Sequence, residues 1–311
     1  MKYLGVDIGG TAVKLGIVDE SGKILCKDNY DVSFDHYKTP IIETVLKSID
    51  LFLKDNHESI ENIEKIGVSA TGQIDTNQGK VIGVGGNIDN WDQTPIKAIF
   101  EDKYHKHTTV VNDANCMIIG EKWIGSAKDK DNVIGITIGT GVGGGIIING
   151  DILLGNVGIA GELGHFSIDH KGVQCSCGNV GCYERYAATT ALIKMVKAQY
   201  DELDIKESIE EINGKLIYDY VHNHNEKITA IVDEWLDNIA IGLVSLTHIF
   251  NPEMIVLGGG VCQQEELFLK PIRQRVLEKA MPRFKEHLEI TAAKLGNDAG
   301  LIGAVYYAMK H

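Results

Sequence analysis

The segment from Glu162 to Glu184 contains the residues best suited to chemistry. It brings Glu-Leu-Gly-His, Cys-Ser-Cys and Cys-Tyr-Glu close together in the chain. One imidazole and three thiols suit tetrahedral Zn²⁺, and these donors are His165, Cys175, Cys177 and Cys182. Because four protein ligands leave no open position for water, the pattern predicts a structural zinc site. The alternative is a group of buried thiols or a disulfide pair.

Short polar side chains on glycine-flanked turns suggest a second kind of chemistry. The carboxylates that flank the cluster, Glu162 and Glu184, have no role as ligands to a filled zinc site. They are therefore expected to bind another molecule. Such side chains are suited to hydrogen-bond neighbouring hydroxyls of a sugar ring. The candidates are Asn87, Asn112, Glu162, His165 and Glu184. Each of them, taken alone, is more often an ordinary surface residue.

The first glycine turn has the residues of a phosphate site. Asp7 ends a predicted strand, and the turn Gly9-Gly10-Thr11 follows it. Backbone amides and the Thr11 hydroxyl of such a turn can face an anion. Asp7 would face a phosphate-bound Mg²⁺ through water, since Mg²⁺ gives up its hydration shell reluctantly. A plain solvated hairpin is the alternative.

A second turn of this kind, Gly139-Thr140-Gly141, occurs at the matching place in the second half of the chain. Two such turns could hold a nucleotide polyphosphate. Neither is a Walker A loop or a dinucleotide fingerprint, because each is predicted to join two strands.

Asp113 is the candidate catalytic base. Asn112-Asp113 follows a predicted strand and begins a helix, whose dipole favours an ionised carboxylate. Phosphoryl transfer needs a carboxylate that orients the accepting hydroxyl and takes its proton. The simpler interpretation is that Asp113 is only a helix N-cap.

Composition excludes several classes of function. The chain has 311 residues and a formal net charge of −13, which disfavours non-specific binding to nucleic acid or an anionic membrane. The N-terminus begins a strand at once, and no signal peptide or membrane span is expected. The expected compartment is therefore the cytoplasm.

The order of elements predicts an α/β protein with two related halves. A strand meander opens the chain over 2–31, and a strand, a glycine turn and a strand recur over 132–149. The predicted domains are an N-terminal α/β domain, 1–120, joined by the last helix, 298–311, and a C-terminal domain, 121–297, with the zinc loop.

These motifs together resemble the ROK family of sugar kinases, and the resemblance covers nearly the whole chain. The Glu-Leu-Gly-His and cysteine motifs are specific to that family, whereas the glycine turns indicate only the wider actin-like, hexokinase-like ATPase fold. The motifs concerned are Asp7 to Lys14, Asn112-Asp113, Gly139-Thr140-Gly141, Glu162 to His165 and Cys175 to Glu184.

The resemblance implies two ribonuclease H-like halves with the active site in a cleft between them. It implies an ATP-dependent kinase that phosphorylates the 6-hydroxyl of a hexose, with Asp113 as base, Mg²⁺ on the phosphates and structural Zn²⁺. The sugar residues implied are Gly72, Asn87, Asn112, Asp113, Glu162, His165 and Glu184. The ATP residues implied are Asp7, Gly9, Gly10, Thr11, Lys14, Gly139, Thr140, Gly141, Gly258, Gly259 and Gly260.

Several alternatives stay open at this point. Glucose or a glucose-like β-glucoside is the favoured acceptor, and N-acetylmannosamine or N-acetylglucosamine is the next. A sugar-sensing regulator without turnover, or an ATPase that does not use sugar, would share much of the pattern. The resemblance further implies a homodimer or homotetramer whose partners are sugar and ATP, without nucleic acid or membrane.

Overall fold

A computed structural model describes residues 1–83 and 88–311, which form two compact units. The first contains Met1–Asp131, Gly145–Gly161 and Lys294–His311, and the second contains Asn132–Gly144 and Glu162–Ala293. The chain therefore leaves the first unit at Asp131 rather than at the expected residue 120. It also returns for 145–161, a segment that the predicted boundaries placed in the C-terminal domain.

Both units contain strands and helices. The strands are β1 Lys2–Ile8, β2 Ala12–Asp19, β3 Ile24–Asp31, β4 Ile63–Ala70, β5 Gln73–Asp75, β6 Lys80–Gly83, β7 Thr108–Asn112, β8 Val133–Ile138, β9 Val142–Ile148, β10 Asp151–Ile152, β11 Met254–Gly258 and β12 Glu289–Ala292. The helices are α1 Ile41–Asp55, α2 Ile96–Tyr104, α3 Asp113–Ile124, α4 Glu184–Ala187, α5 Thr189–Ala198, α6 Gly214–His222, α7 Glu226–Phe250, α8 Lys270–Lys279, α9 Pro282–Lys285 and α10 Ala299–Lys310.

The first unit is built on a sheet in the order β3-β2-β1-β4-β7. β1 pairs antiparallel with β2 and parallel with β4, and β4 pairs parallel with β7. This register makes Lys14 and Ser69 the cross-strand neighbours of Asp7. It also pairs Ala70 with Asn112, at the end of β7. The sheet thus fixes which polar residues meet at the strand ends.

Helices cover this sheet with apolar side chains. Val45, Phe52 and Phe100 of α1 and α2 pack in one core with β1, β2, β4 and β7, and α3 and α10 contribute to two smaller clusters. Gly67 of β4 permits the close approach of α10, since a β-carbon there would lie 2.1 Å from the Ala304 carbonyl oxygen. Gly303 has the same role between α10 and α3.

The second five-stranded sheet has the order β10-β9-β8-β11-β12. β11 pairs parallel with both β8 and β12, and β9 passes from the second unit into the first at Gly144. One face of helix α7 is buried, and it packs against the segment that contains Tyr183, whose hydroxyl donates to the Ile239 carbonyl at 2.8 Å. Trp235 of α7 likewise donates to the Ala187 carbonyl at 3.1 Å.

The predicted strand, glycine turn and strand occur twice, as β1-β2 and β8-β9. The fold class is therefore confirmed as α/β, with two five-stranded sheets of mixed strands and a small antiparallel sheet of β5 and β6. None of the helices in the described part of the chain is both long and apolar enough to cross a membrane.

Candidate active site

The first glycine turn presents a carboxylate beside backbone amides. Ser69 donates a hydrogen bond of 2.6 Å to Asp7 Oδ1, and the Lys14 ammonium lies 3.7 Å from Oδ2. Burial raises the pKa of Asp7, although the Ser69 hydroxyl and Lys14 act in the opposite direction. Burial, together with the negative charge of Asp298, therefore outweighs the two favourable neighbours.

The turn itself is held at both ends. The Gly9 amide donates to the Ala12 carbonyl at 2.9 Å, and the Tyr37 hydroxyl donates to the Gly10 carbonyl at 2.8 Å. Lys14 also donates to the backbone carbonyl of Asn297. Thr11, whose hydroxyl the sequence predicts to face an anion, is exposed.

Asn112, rather than Asp113, is the N-cap of α3. Its side-chain oxygen accepts from the Ala114 and Asn115 amides at 2.9 and 3.2 Å, while its amide nitrogen donates to Asp113 Oδ1 at 3.0 Å. The N-cap role that the sequence suggested for Asp113 is thus performed by its neighbour. Asp113 is the first helical residue, where the helix dipole favours its negative charge.

Asn112 also fixes the Gly72 turn, because its amide nitrogen donates to the Gly72 carbonyl at 2.9 Å. Gly72 has φ +98°, and a β-carbon there would lie 2.7 Å from the Gly83 carbonyl oxygen. Both features require glycine. Three of the predicted sugar residues, Gly72, Asn112 and Asp113, are therefore connected within the first unit. Asn87, also predicted for the sugar, lies outside the described residues.

The second glycine turn is joined to a predicted sugar residue. The Gly139 amide donates to the Gly141 carbonyl at 2.9 Å, and Glu184 Oε2 accepts from the Val142 amide at 2.9 Å. Thr189 and Thr190 hold the turn from α5, through bonds of 2.9 Å to the Gly139 carbonyl and 2.7 Å to the Thr140 carbonyl.

The predicted zinc ligands lie together. The donor atoms of His165, Cys175, Cys177 and Cys182 are all within 4.8 Å of one another. His165 Nδ1 lies 3.7 Å from Cys175 Sγ, and the sulfurs of Cys177 and Cys182 are 3.5 Å apart. Gly178 and Gly181, with φ +93° and +71°, give the loop its tight bends.

The protonation of these thiols reflects their crowding. Burial alone would raise the pKa of Cys175, but hydrogen bonds with Cys177, Cys182 and His165 lower it to about 7. Burial and the neighbouring thiols raise the pKa of Cys182 to about 12. Thiolates this close repel one another, so a cation would favour their common ionisation.

A cavity of about 530 Å³ lies in the second unit beside its glycine turns. Sequence reasoning found one part of its wall and missed another. The predicted residues of this wall are Gly139, Thr140 and Gly260; the lining residues not predicted are Ile138, Thr189, Thr190, Ile193, Gly214, Lys215, Tyr218, Asp219, His222, Val261 and Gln264. The available signal was the spacing of Lys215, Asp219 and His222, which puts them on one face of a helix.

The remaining predicted site residues occupy the second unit. Glu162 is exposed, and its carbonyl accepts from the His165 amide at 3.0 Å. Gly258 ends β11, opposite Thr137. Gly259, at φ +114°, is so close to the Ile138 carbonyl that a β-carbon would lie 2.0 Å from its oxygen. The Gly258–Gly260 turn therefore sits next to the Gly139 turn.

The comparisons with known proteins cover nearly the whole chain. The ROK family model matches residues 3–311. A glucokinase from Thermotoga maritima is 32% identical over 310 residues, covering 98% of this chain and 96% of the relative. The structure of a ROK family glucokinase from Streptomyces griseus in complex with glucose and AMPPNP is 31% identical, with a TM-score of 0.84 and full coverage of both chains. The Lmo2764 protein of Listeria monocytogenes, a candidate N-acetylmannosamine kinase, is 27% identical, with a TM-score of 0.84 and coverage of 100% and 99%.

Proposed function

The chain belongs to the ROK family, and from this membership we propose that it is an ATP-dependent hexose kinase. The proposed reaction transfers the γ-phosphoryl group of ATP to the 6-hydroxyl of glucose or a glucose-like sugar. The observation that carries the proposal is the full-length similarity to a kinase solved with glucose and AMPPNP. An intact carboxylate at the predicted base position, Asp113, further supports catalysis over sugar sensing.

Asp113 is proposed to accept the proton of the 6-hydroxyl. As oxygen 6 forms its bond to the γ-phosphorus, the bond from that phosphorus to the bridging oxygen breaks and ADP leaves. The hydroxyl proton passes to a carboxylate oxygen of Asp113 and later to solvent. Such a base acts mainly by orienting the nucleophile, since the transition state is loose. Asn112 supports this role by holding Asp113 Oδ1 at 3.0 Å.

The other sugar contacts are proposed from the remaining predicted residues. These residues, which would bind the ring hydroxyls, are Gly72, Asn87, Asn112, Glu162, His165 and Glu184. Carboxylate oxygens accept hydrogen bonds from sugar hydroxyls, and the imidazole can donate one. The exposure of Glu162 is consistent with an available carboxylate.

ATP is proposed to bind through the two glycine turns and the cavity. The amides of Gly9, Gly10 and Thr11 and those of Gly139, Thr140 and Gly141 would face phosphate oxygens, with Lys14 adding positive charge. Asp7 would meet phosphate-bound Mg²⁺ through water, and the raised pKa of Asp7 fits a carboxylate whose charge a second cation, besides Lys14, would stabilise. Bound Mg²⁺ supplies charge neutralisation on the phosphates. The turn Gly258–Gly260 would lie on the nucleoside side.

Structural Zn²⁺ is proposed for the His165, Cys175, Cys177 and Cys182 cluster. Two thiolates bound at about 2.3 Å to one tetrahedral zinc lie about 3.8 Å apart. The Cys177–Cys182 separation of 3.5 Å and the His165–Cys175 separation of 3.7 Å are close to this spacing. Ligation through His165 Nδ1 would leave Nε2 to donate to a sugar hydroxyl, so the metal would order a sugar contact.

A second candidate substrate follows from the Listeria protein, whose description is that of an N-acetylmannosamine kinase. N-acetylmannosamine is therefore the proposed alternative acceptor. For the assembly we propose a homodimer or homotetramer, which light scattering during gel filtration would measure directly.

The decisive experiment is coupled ADP release with Mg-ATP across glucose, cellobiose, mannose, N-acetylmannosamine, N-acetylglucosamine, allose and fructose. We expect glucose or a glucose-like sugar to give the highest kcat/KM. Asp113→Asn should reduce kcat by about 10³-fold or more while ATP still binds. ATP binding without ADP release for any sugar would instead support a sensor, and turnover independent of sugar would support an ATPase.

A further inference from the structure

Helix α6 forms one whole wall of the 530 Å³ cavity in the second unit. The α6 residues that line the cavity are spread along the whole helix. They are Gly214, Lys215, Tyr218, Asp219 and His222. Because α6 ends at His222, the cavity is lined from the first residue of the helix to the last. A ligand that fills the cavity therefore lies alongside α6 and meets these residues in sequence.

The start of α6 lies at the phosphate turn. A β-carbon on Gly214 would lie 2.9 Å from the methyl carbon of Thr189. Thr189 in turn donates its amide to the Gly139 carbonyl at 2.9 Å. Gly214 and Lys215 are therefore next to the turn that is proposed to hold phosphate, which fixes the direction of the helix relative to the nucleotide.

The rise of an α-helix then assigns the remaining positions. The rise is about 1.5 Å per residue, so along the helix axis Asp219 lies about 7.5 Å beyond Gly214 and His222 about 12 Å beyond it. The phosphates, ribose and base of a nucleotide follow one another in that order. Lys215 is consequently at the level of the phosphates, Asp219 at the level of the ribose, and His222 at the level of the base.

Asp219 has the chemistry and the freedom for this position. It is exposed at the rim of the cavity, and no side-chain hydrogen bond or ion pair involves its carboxylate within 1–83 and 88–311. An ionised carboxylate only accepts hydrogen bonds, and vicinal ribose hydroxyls offer two donors. Carboxylates bind ribose hydroxyls in the same way in dinucleotide sites. Among the described residues that line the cavity, Asp219 is the one acidic side chain.

We propose that the Asp219 carboxylate binds the ribose hydroxyls of ATP and makes this kinase select ribonucleotides over deoxyribonucleotides. The inference rests on the proposed function, because it takes the cavity to be the nucleoside site. The partly apolar walls, formed by Ile138, Ile193 and Val261, suit the flat base, while the phosphates remain at the Gly139 turn.

The test measures Kd for ATP, 2′-deoxyATP and 3′-deoxyATP by titration calorimetry with Mg²⁺ and without sugar. The wild-type protein should bind ATP about 10-fold tighter than at least one deoxynucleotide, as expected for a charged hydrogen bond at an exposed rim. Asp219→Ala should raise the Kd for ATP by that factor and leave the Kd for the discriminated deoxynucleotide nearly unchanged. The preference for ATP over that deoxynucleotide should then disappear. Asp219→Asn, which keeps an acceptor oxygen but not the charge, should retain part of it.

Two control variants separate this effect from others. Lys215→Gln should weaken the binding of all three nucleotides equally, because Lys215 is placed at the level of the phosphates, which the three nucleotides share. Asp201→Ala removes an exposed carboxylate elsewhere in the same unit and should change no Kd. Equal weakening of the three nucleotides in Asp219→Ala, or a ribose preference that survives that substitution, would overturn the proposal.

The same assay distinguishes this inference from the proposed function. ATP binding with a ribose preference that Asp219→Ala removes, but without phosphorylation of any sugar, would leave the inference standing and refute the kinase. Sugar phosphorylation by a protein that binds ATP and both deoxynucleotides equally would do the reverse.

Discussion

Glu184 Oε2 accepts a hydrogen bond of 2.9 Å from the backbone amide of Val142. This contact connects a residue predicted to bind sugar with the glycine turn predicted to bind phosphate. The fit is close, since a β-carbon on Gly141 would lie 2.5 Å from the same carboxylate oxygen. One carboxylate oxygen of Glu184 thus supports the turn, and the other is proposed to bind the sugar.

Two substitutions at Glu184 should separate these roles. Glu184→Gln keeps an oxygen that can accept from Val142 but loses the charge, so we expect KM for the sugar to rise about 10-fold with KM for ATP nearly unchanged. Glu184→Ala also releases the turn and should raise KM for both substrates. Steady-state kinetics with each substrate varied in turn would measure this, and equal effects of Gln on both KM values would contradict it.

Asn112 should affect stability and catalysis separately. Asn112→Ala removes the cap of α3 and should lower the free energy of unfolding by about 1–2 kcal/mol. Asn112→Asp restores a cap oxygen but loses the amide that donates to Gly72 and Asp113. We therefore expect Asn112→Asp to recover most of the stability while kcat stays reduced at least 10-fold.

Urea denaturation and kcat measured on the same samples would check this expectation. Asn225 is a matched control, because it caps α7 by accepting from the Ile228 amide and has no proposed catalytic role. Asn225→Ala should cost similar stability without changing kcat. Full activity in Asn112→Asp would show that the Nδ2 contacts do not matter.

Local chemistry explains why much of the site was predictable. A thiol and imidazole cluster, or an acid before Gly-Gly-Thr, is distinctive in residue type and spacing, so His165, Cys175 and Asp7 could be chosen as candidates from the sequence alone. The cluster geometry at the four predicted ligands agrees with that prediction. The glycine turns were equally recognisable, because each lies between two strand-like runs.

What escaped prediction depends on tertiary packing. Asp219 and His222 lie on an ordinary amphipathic helix, and nothing local shows that their face of α6 borders a cavity. The capping of α3 by Asn112 depends on where β7 ends, and helix boundaries shift by one or two residues. The return of 145–161 to the first unit is a property of long-range contacts, which a periodic pattern does not encode.

Removal of the proposed zinc should destabilise the loop and weaken sugar binding together. Cys177→Ser deletes one ligand, so we expect bound zinc near zero by elemental analysis, a Tm lower by about 5 °C or more, and a raised KM for the sugar. Cys26 is a thiol in β3 outside the cluster, so the Cys26→Ser variant should keep its bound zinc. Full activity of a protein proven free of zinc would refute the structural role.

At neutral pH the charged Asp7 should make the protein less stable than a neutral side chain at this position would. Burial raises its pKa in the folded state, whereas the unfolded value is about 3.9. Between these two values the folded state holds more protons than the unfolded state, so stability falls as pH rises through that window and the cost persists above it. The charged Asp7 carboxylate therefore lowers stability at neutral pH, which fits a role in binding a ligand.

Asp7→Asn removes this cost. We expect it to raise Tm at neutral pH, with the gain disappearing as pH falls below about 4, and to abolish Mg-ATP-dependent turnover. Asp19 gives the opposite control, because a hydrogen bond from Ser21 lowers its pKa and Asp19→Asn should lower Tm at neutral pH. The decrease in Tm caused by Asp19→Asn should become smaller as pH falls through the lowered pKa of Asp19. Thermal melts of the three proteins across pH would test both signs, and a Tm of Asp7→Asn below that of wild type at neutral pH would contradict the argument.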